Sequence, residues 1–218
     1  MEINTNNTEG LRSMSKEDKF DLLVKEIKPT GYGAFAKRRY ANGELICIEY
    51  PFVFVLGKQP FSQQQIDEIH QSVEGLSPEK KKIYYSLSNC FSVKENIEYS
   101  EASVCENNHI SNAVGIFRTN CFDMNGFGCA LYASIARVNH ACAPNARQHY
   151  DELTQSEHLV ACKDIEINEE VTISYIDIRQ STTQRREILQ KSYGFHCVCS
   201  LCSAFDKNPT LRRFLPSS

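Results

Sequence analysis

The sequence predicts an α+β fold of short strands in several small sheets, with one helical insert and a small cysteine-rich cap near the C-terminal end. Three observations predict it. Runs of β-branched and aromatic residues are short and bounded by turn signals, as in Glu44 to Val55, broken at Pro51, and in Val171-Thr172-Ile173-Ser174-Tyr175. From Ser62 the apolar period becomes helical, with Ile66, Ile69, Val73 and Leu76 on one face. Cys197-x-Cys199-x-x-Cys202 then sets three thiols on a short segment, fit for three corners of a tetrahedral zinc site.

The elements follow in order. Residues 1–17 read as a disordered tail, and the sequon at Asn6-Asn7-Thr8 has no meaning without secretion. Phe20 to Ile27 is apolar and short and is followed by Pro29, which favours a strand. In Gly31-Tyr32-Gly33 two glycines let backbone approach a ligand or turn sharply, but no third glycine supports a dinucleotide fold. Ser77-Pro78-Glu79 opens a second helix with a capping serine, and Ile83, Leu87 and Phe91 line its buried side. Residues 92–108 read as a loop, and Ile110, Val114, Phe117 and Cys121 as a third helix, so the insertion covers 58–119. Leu131 to Val138 is a short helix or turn. Ala146 to Tyr150 and His158 to Lys163 are paired strands, and Thr182 to Lys191 is a polar helix with Ile188 and Leu189 inward. No Pro- or Ser-rich linker divides the chain, which reads as one domain.

Composition narrows the functions. At 218 residues, 41% hydrophobic and 23% charged, the chain is that of a globular protein. No stretch approaches the ~18 consecutive apolar residues of a membrane span. The N-terminus lacks a signal-peptide pattern, so an intracellular protein, in cytoplasm or nucleus, is expected. A net charge of −3 makes no electrostatic case for nucleic acid, and Lys80-Lys81-Lys82 reads as a solvated helix face. In a reducing compartment the 10 cysteines divide between metal binding and packing. Cys47, Cys90, Cys105, Cys121, Cys129 and Cys162 are dispersed and read as core thiols.

The densest chemistry lies in Asn139-His140-Ala141-Cys142-Ala143-Pro144-Asn145. Asn and His can hold a polar ligand from two directions, and the thiol can become a metal ligand. Pro144 biases Ala143 away from helix, so the stretch reads as a loop ending a helix; its blander reading is a turn with a buried cysteine. Cys and His two apart in a turn rarely face each other in triad geometry, which argues against a cysteine protease. The zinc site's fourth ligand has two candidates, local His196 and distant Cys142.

In order and spacing, Gly31-Tyr32-Gly33, the Asn139–Asn145 stretch, Glu170-Val171-Thr172-Ile173-Ser174-Tyr175 and the terminal cysteines resemble the SET-domain lysine methyltransferases, most of all their SET-and-MYND subgroup. The resemblance runs from about residue 20 to residue 203. It implies a SET domain over 18–196, built of small sheets with a pseudoknot, a zinc-bound post-SET cap over 197–203 and a tail over 204–218. It implies S-adenosylmethionine-dependent methylation of a lysine ε-amine in a protein substrate, histone or non-histone, by a monomer. Gly31, Tyr32, Gly33, Asn120, Asn139 and His140 would hold the cofactor, with Phe195 against its adenine. Tyr175 would align the amine and Tyr193 line the lysine channel, while Cys142 joins Cys197, Cys199 and Cys202 on one zinc. Asn120 also reads simply as a helix-terminal polar residue. Residues 56–118 lack the cysteine and histidine array of a MYND module, and the family's C-terminal helical-repeat domain is expected to be missing. Ala141 and Ala143 replace the serine and acidic residue common in the family loop. The rival reading is an inactive SET-fold module that binds peptide around a structural zinc.

Overall fold

The computed structural model describes residues 19–28, 31–91 and 111–207. The expected tail at 1–17, the loop at 92–108, Cys105, Ile110 and the last residues of the chain lie outside this range.

Strand β1 (Lys19–Phe20) leads into β2 (Leu22–Ile27), which pairs with β3 (Gly31–Ala36) in antiparallel register from Leu22↔Ala36 to Ile27↔Gly31. As expected, β4 (Leu45–Glu49) and β5 (Val53–Leu56) fall on either side of Pro51. Helix α1 (Gln63–Glu74) starts at a capping box: the Gln65 N–H donates to Ser62 Oγ and the Ser62 N–H donates to Gln65 Oε1. It buries Ile66, Ile69 and Val73. Helix α2 (Pro78–Tyr85) carries its proline in the first turn and is capped by Ser77.

Here the structure corrects the reading of the buried face. Helix α2 ends at Tyr85 and turns Tyr84 inward, where its hydroxyl donates to the Ala113 carbonyl at 2.7 Å; Ile83 is 38% exposed. Leu87 is buried beyond the helix end, and Phe91 is half-buried. A two-turn helix turns one residue to the core, and the large ring that also finds a hydrogen bond takes that place. Helix α3 (Asn112–Asn120) completes the insert; Cys121 is its C-cap rather than part of its face.

After α3 come β6 (Phe122–Asp123), β7 (Gly128–Leu131), a 3-10 turn (Ile135–Arg137) and β8 (Asn139–His140). The Asn139 stretch therefore opens as a two-residue strand, not as a loop ending a helix. The hairpin β9 (Ala146–Asp151) and β10 (Ser156–Ala161) pairs as expected, with β10 starting before His158. Strand β11 (Glu170–Ile173) stops short of Tyr175. Helix α4 (Thr182–Tyr193) buries Leu189, half-buries Ile188 and unexpectedly buries Arg185. Helix α5 (Ser200–Lys207) runs past residue 203, where the sequence was expected to become a tail.

The strands form three sheets, in the orders β1-β4-β10-β9, β2-β3-β11-β8 and β5-β7-β6. The first two enclose one core, including Tyr40, Cys47, Tyr132, Ile135 and Val171. The third packs with α1–α3 around Ile69, Val73, Tyr84 and Phe117. A third cluster joins Cys142, Leu189, Cys197 and Cys202, with Tyr175, Tyr193 and Phe195 against it. Of the dispersed cysteines, Cys47, Cys90 and Cys129 are buried, Cys121 is half-buried, and Cys162 is exposed on the turn after β10 rather than in the core.

Candidate functional site

The site is built where β8 pairs in parallel with β11, Asn139 opposite Thr172 and His140 opposite Ile173. Two residues make a weak strand, so side chains reinforce it. Asn145 is buried and accepts from the Thr172 N–H at 2.7 Å, while its Nδ2 donates to the Glu170 carbonyl at 2.8 Å and to Glu169 Oε1 at 3.0 Å. An amide side chain thus supplies a donor and an acceptor beside a ladder too short to supply them. Asn139 Nδ2 donates to Glu170 Oε1 at 2.8 Å and to the Tyr32 carbonyl at 3.0 Å, tying β8 to β3 as well.

Gly33 lies under that amide. A Cβ there would stand 2.6 Å from Ile27 Cδ1, 2.7 Å from Glu170 Oε1 and 2.9 Å from Asn139 Nδ2, so any side chain would have to displace those three side-chain ends. Gly31 takes φ +106°, and a Cβ there would meet nothing within 4 Å. Gly31, Tyr32, Gly33 and Asn139 are therefore brought together, with open space at one end. Asn120 ends α3, and its Nδ2 donates to the carbonyls of Ser88 and Ile116, each at 2.7 Å. Its amide donors serve the fold, and Oδ1 is the atom left to meet a ligand.

Tyr175 follows β11. Its hydroxyl donates to the Val138 carbonyl at 2.7 Å, and burial raises its pKa well above the phenol range. Its ring lies 4.8 Å from Tyr193, 5.3 Å from His140 and 6.5 Å from Phe195, centroid to centroid. Gly194, left-handed at φ 77°, ends α4 and releases Phe195 toward this cluster, while the Cys90 thiol donates to the Ser192 carbonyl at 3.1 Å and anchors the turn to the insert.

His140 joins two halves of the site. The Tyr175 N–H donates to its Nδ1 at 3.0 Å, and its Nε2 lies 3.3 Å from Cys142 Sγ. Burial, with help from the nearby Arg185 cation, lowers its pKa to about 4, so the ring is neutral at pH 7. Because Nδ1 accepts, Nε2 carries the proton and donates to the sulfur. Its ring is thereby committed to protein groups, and the backbone is the part of His140 left for a ligand.

The Sγ atoms of Cys142, Cys197, Cys199 and Cys202 lie within 4.8 Å of one another. Cys142 stands 3.9 Å from Cys197 and 3.6 Å from Cys202. Thiolates at ~2.3 Å from a tetrahedral zinc are about 3.8 Å apart, so this donor set fits that metal. His196 is exposed and outside the group. Burial pushes the Cys142 thiol up to about 11 and raises Cys197 further. Burial also acts on Cys199, but the backbone N–H groups of Cys202 and Cys142 and the adjoining thiols outweigh it and bring it to about 7.

Glu170, Asn145, Val138 and Arg185 are the site residues that sequence reasoning missed. Asn145 stood within the singled-out stretch and Glu170 at the head of the tyrosine strand, but their partners are far away in sequence. A carbonyl such as that of Val138 leaves no trace in side-chain chemistry.

Residues 31–176 match the SET domain family, and the chain belongs to it. The histone-lysine N-methyltransferase set5 of Schizosaccharomyces pombe is 24% identical over 184 residues, which cover 84% of this chain and 51% of that protein. Human histone-lysine N-methyltransferase SMYD3 is 38% identical over 88 residues, covering 39% of this chain and 20% of SMYD3. The N-lysine methyltransferase SMYD2-B of Xenopus laevis is 28% identical over 149 residues, 66% of this chain and 34% of that protein. The chain thus matches about half the length of set5 and smaller shares of the other two.

Proposed function

We propose that this chain transfers a methyl group from S-adenosylmethionine to the ε-amine of a lysine in a protein substrate. One zinc on Cys142, Cys197, Cys199 and Cys202 would fix the cap over the site. The observation that supports this reading is the place of Tyr175: among His140, Tyr193 and Phe195, beside the strand pair that presents Asn139 and His140.

When bound, S-adenosylmethionine supplies a methyl on a positively charged sulfonium. The backbone of Gly31 to Gly33, Asn120 Oδ1, Asn139 and the His140 backbone would hold it, with Phe195 against its adenine. The protein's part is to deliver a neutral amine in line. A free lysine titrates near ~10.4 and its ammonium has no lone pair. The aromatic walls of Tyr175 and Tyr193 disfavour the charged form by desolvating it. The Tyr175 hydroxyl would align the amine at the narrow point between the two reactants. His140 cannot take the proton, since one ring nitrogen already accepts from Tyr175 and the other carries hydrogen toward Cys142. The proton therefore leaves to water.

The substrate class, the monomeric state, the lack of nucleic-acid and membrane partners and a cytoplasmic or nuclear location belong to the same proposal. A four-thiol zinc site suits a reducing compartment. Labelled cofactor, incubated with the chain and a cell extract, tests it: wild type labels polypeptide, and Tyr175→Phe slows labelling about 10²–10³-fold, the usual loss for one positioned polar group. Cofactor affinity stays nearly intact. No labelled polypeptide, with zinc and peptide binding intact, establishes the binding-module reading instead; equal loss of transfer and cofactor affinity in Tyr175→Phe makes Tyr175 structural.

A further inference from the structure

Arg185 is only 2% exposed, yet it pairs with no carboxylate among the described residues. Its NH1 donates to the Gln180 carbonyl at 2.6 Å and its NH2 to Thr182 Oγ1 at 3.1 Å, while Nε has no partner. The remaining contacts are to sulfur: NH2 stands 3.8 Å from Cys202 Sγ, and the guanidinium also bonds the Cys142 thiol. Neighbouring Arg186 behaves differently: it donates to the Cys197 carbonyl at 3.0 Å but its charge is met by Asp206 at 2.7 Å. Arg186 is thus an ordinary ion-paired arginine. Arg185 is a cation with two neutral acceptors and two sulfurs.

A cation buried without a counter-charge strongly destabilises a fold. Four thiolates on one divalent metal leave a net charge of about −2 at the centre, which is equally unfavourable when buried without compensation. Each imbalance answers the other.

We propose that Arg185 is the counter-cation of the metal–thiolate centre: a positioning residue that makes the loaded, four-thiolate state favourable and the metal-free state unfavourable. It rests on the zinc reading above. His140, donating to Cys142, supplies a dipole; Arg185 supplies the full charge. Orienting groups around a metal site commonly govern affinity as well as geometry.

The test uses the full chain and its Arg185→Met and Arg185→Lys variants, each titrated with zinc against a chelator, and with cobalt to read the thiolate-to-metal charge-transfer band. Arg185→Met should bind zinc about 10–100-fold more weakly, and Arg185→Lys should recover most of that loss. Thermal midpoints supply an independent sign: Arg185→Met should lower that of the zinc-loaded protein and leave that of the metal-free protein unchanged or higher. If wild type takes up no zinc, the zinc reading fails and carries this one with it. If wild type takes up one zinc, the Arg185 role alone is overturned by any of three results: Arg185→Met binds as tightly, Arg185→Lys falls as far as Arg185→Met, or Arg185→Met lowers both midpoints equally.

Discussion

In the helical insert, Ile69, Val73, Ile116 and Phe117 are buried in an apolar cluster, and the polar work is done at helix ends by Ser62 and Ser77. At the strand junction the proportions reverse. Asn139, His140, Asn145 and Glu170 each bridge two stretches of chain through directional bonds, and Cys142 adds a thiol to a cluster that could hold a metal. Apolar packing is nondirectional and tolerates an exchange of similar volume. A network of single-partner bonds does not, because each lost partner leaves a buried group unsatisfied. The difference separates the region that gives the molecule bulk from the one that holds atoms in place for chemistry.

Substitutions can break or sharpen this contrast. Cys199→Ser should act most strongly. Structural zinc contributes on the order of 10 kcal/mol or more in small zinc domains. Metal analysis should fall from one zinc per chain to almost none, and cofactor affinity should fall with it through the His140 link, while α1–α3 keep their helical signal. Zinc lost with cofactor binding unchanged would cut that link. Next, Ile69→Ala should remove about 2–5 kcal/mol of stability in urea unfolding, the range for a fully buried isoleucine, without changing zinc content. Loss of zinc there would show that the two regions are not separable.

The third effect concerns pH. Glu157, buried on β10, has its carboxyl pushed up to about 8 by burial, against 4.5 unperturbed. The folded chain therefore holds this proton while the unfolded chain releases it. The contribution is fully present below pH 4.5 and falls by up to about 1.4 kcal/mol per unit as pH rises toward 8. Comparing wild type with Glu157→Gln by urea unfolding across that window should show this slope removed and little change at acid pH. The insert has no buried carboxyl among its described residues, so the alkaline weakening belongs to the β1-β4-β10-β9 sheet, which shares its core with the junction's sheet. Equal slopes in both proteins would assign the proton elsewhere.

Legibility in the sequence follows the same division. Helix α1 was readable because its buried face, Ile66, Ile69 and Val73, repeats at a local period within a few residues. The exception, Ile83 read in place of Tyr84, came from a helix too short to average out one rotation. In the junction, the residue types of Asn139, His140, Cys142 and Tyr175 were readable, but Asn139 and His140 become a strand only because β11 lies alongside. The choice of Cys142 over His196 likewise depends on a fold that brings distant thiols together. Arg185 and Glu157 escaped reading because charged residues on amphipathic elements ordinarily face water.

Cys142 lies 55 residues before Cys197 and 60 before Cys202 in the chain. At ~5–20 residues per second, synthesis leaves its thiol for about 3–12 s before the last of its partners exists. The sulfur cage cannot close before then, although β11 (Glu170–Ile173) is made earlier and can already pair with β8. The Cys142 thiol thus meets oxidants most openly before its partner thiols have been made.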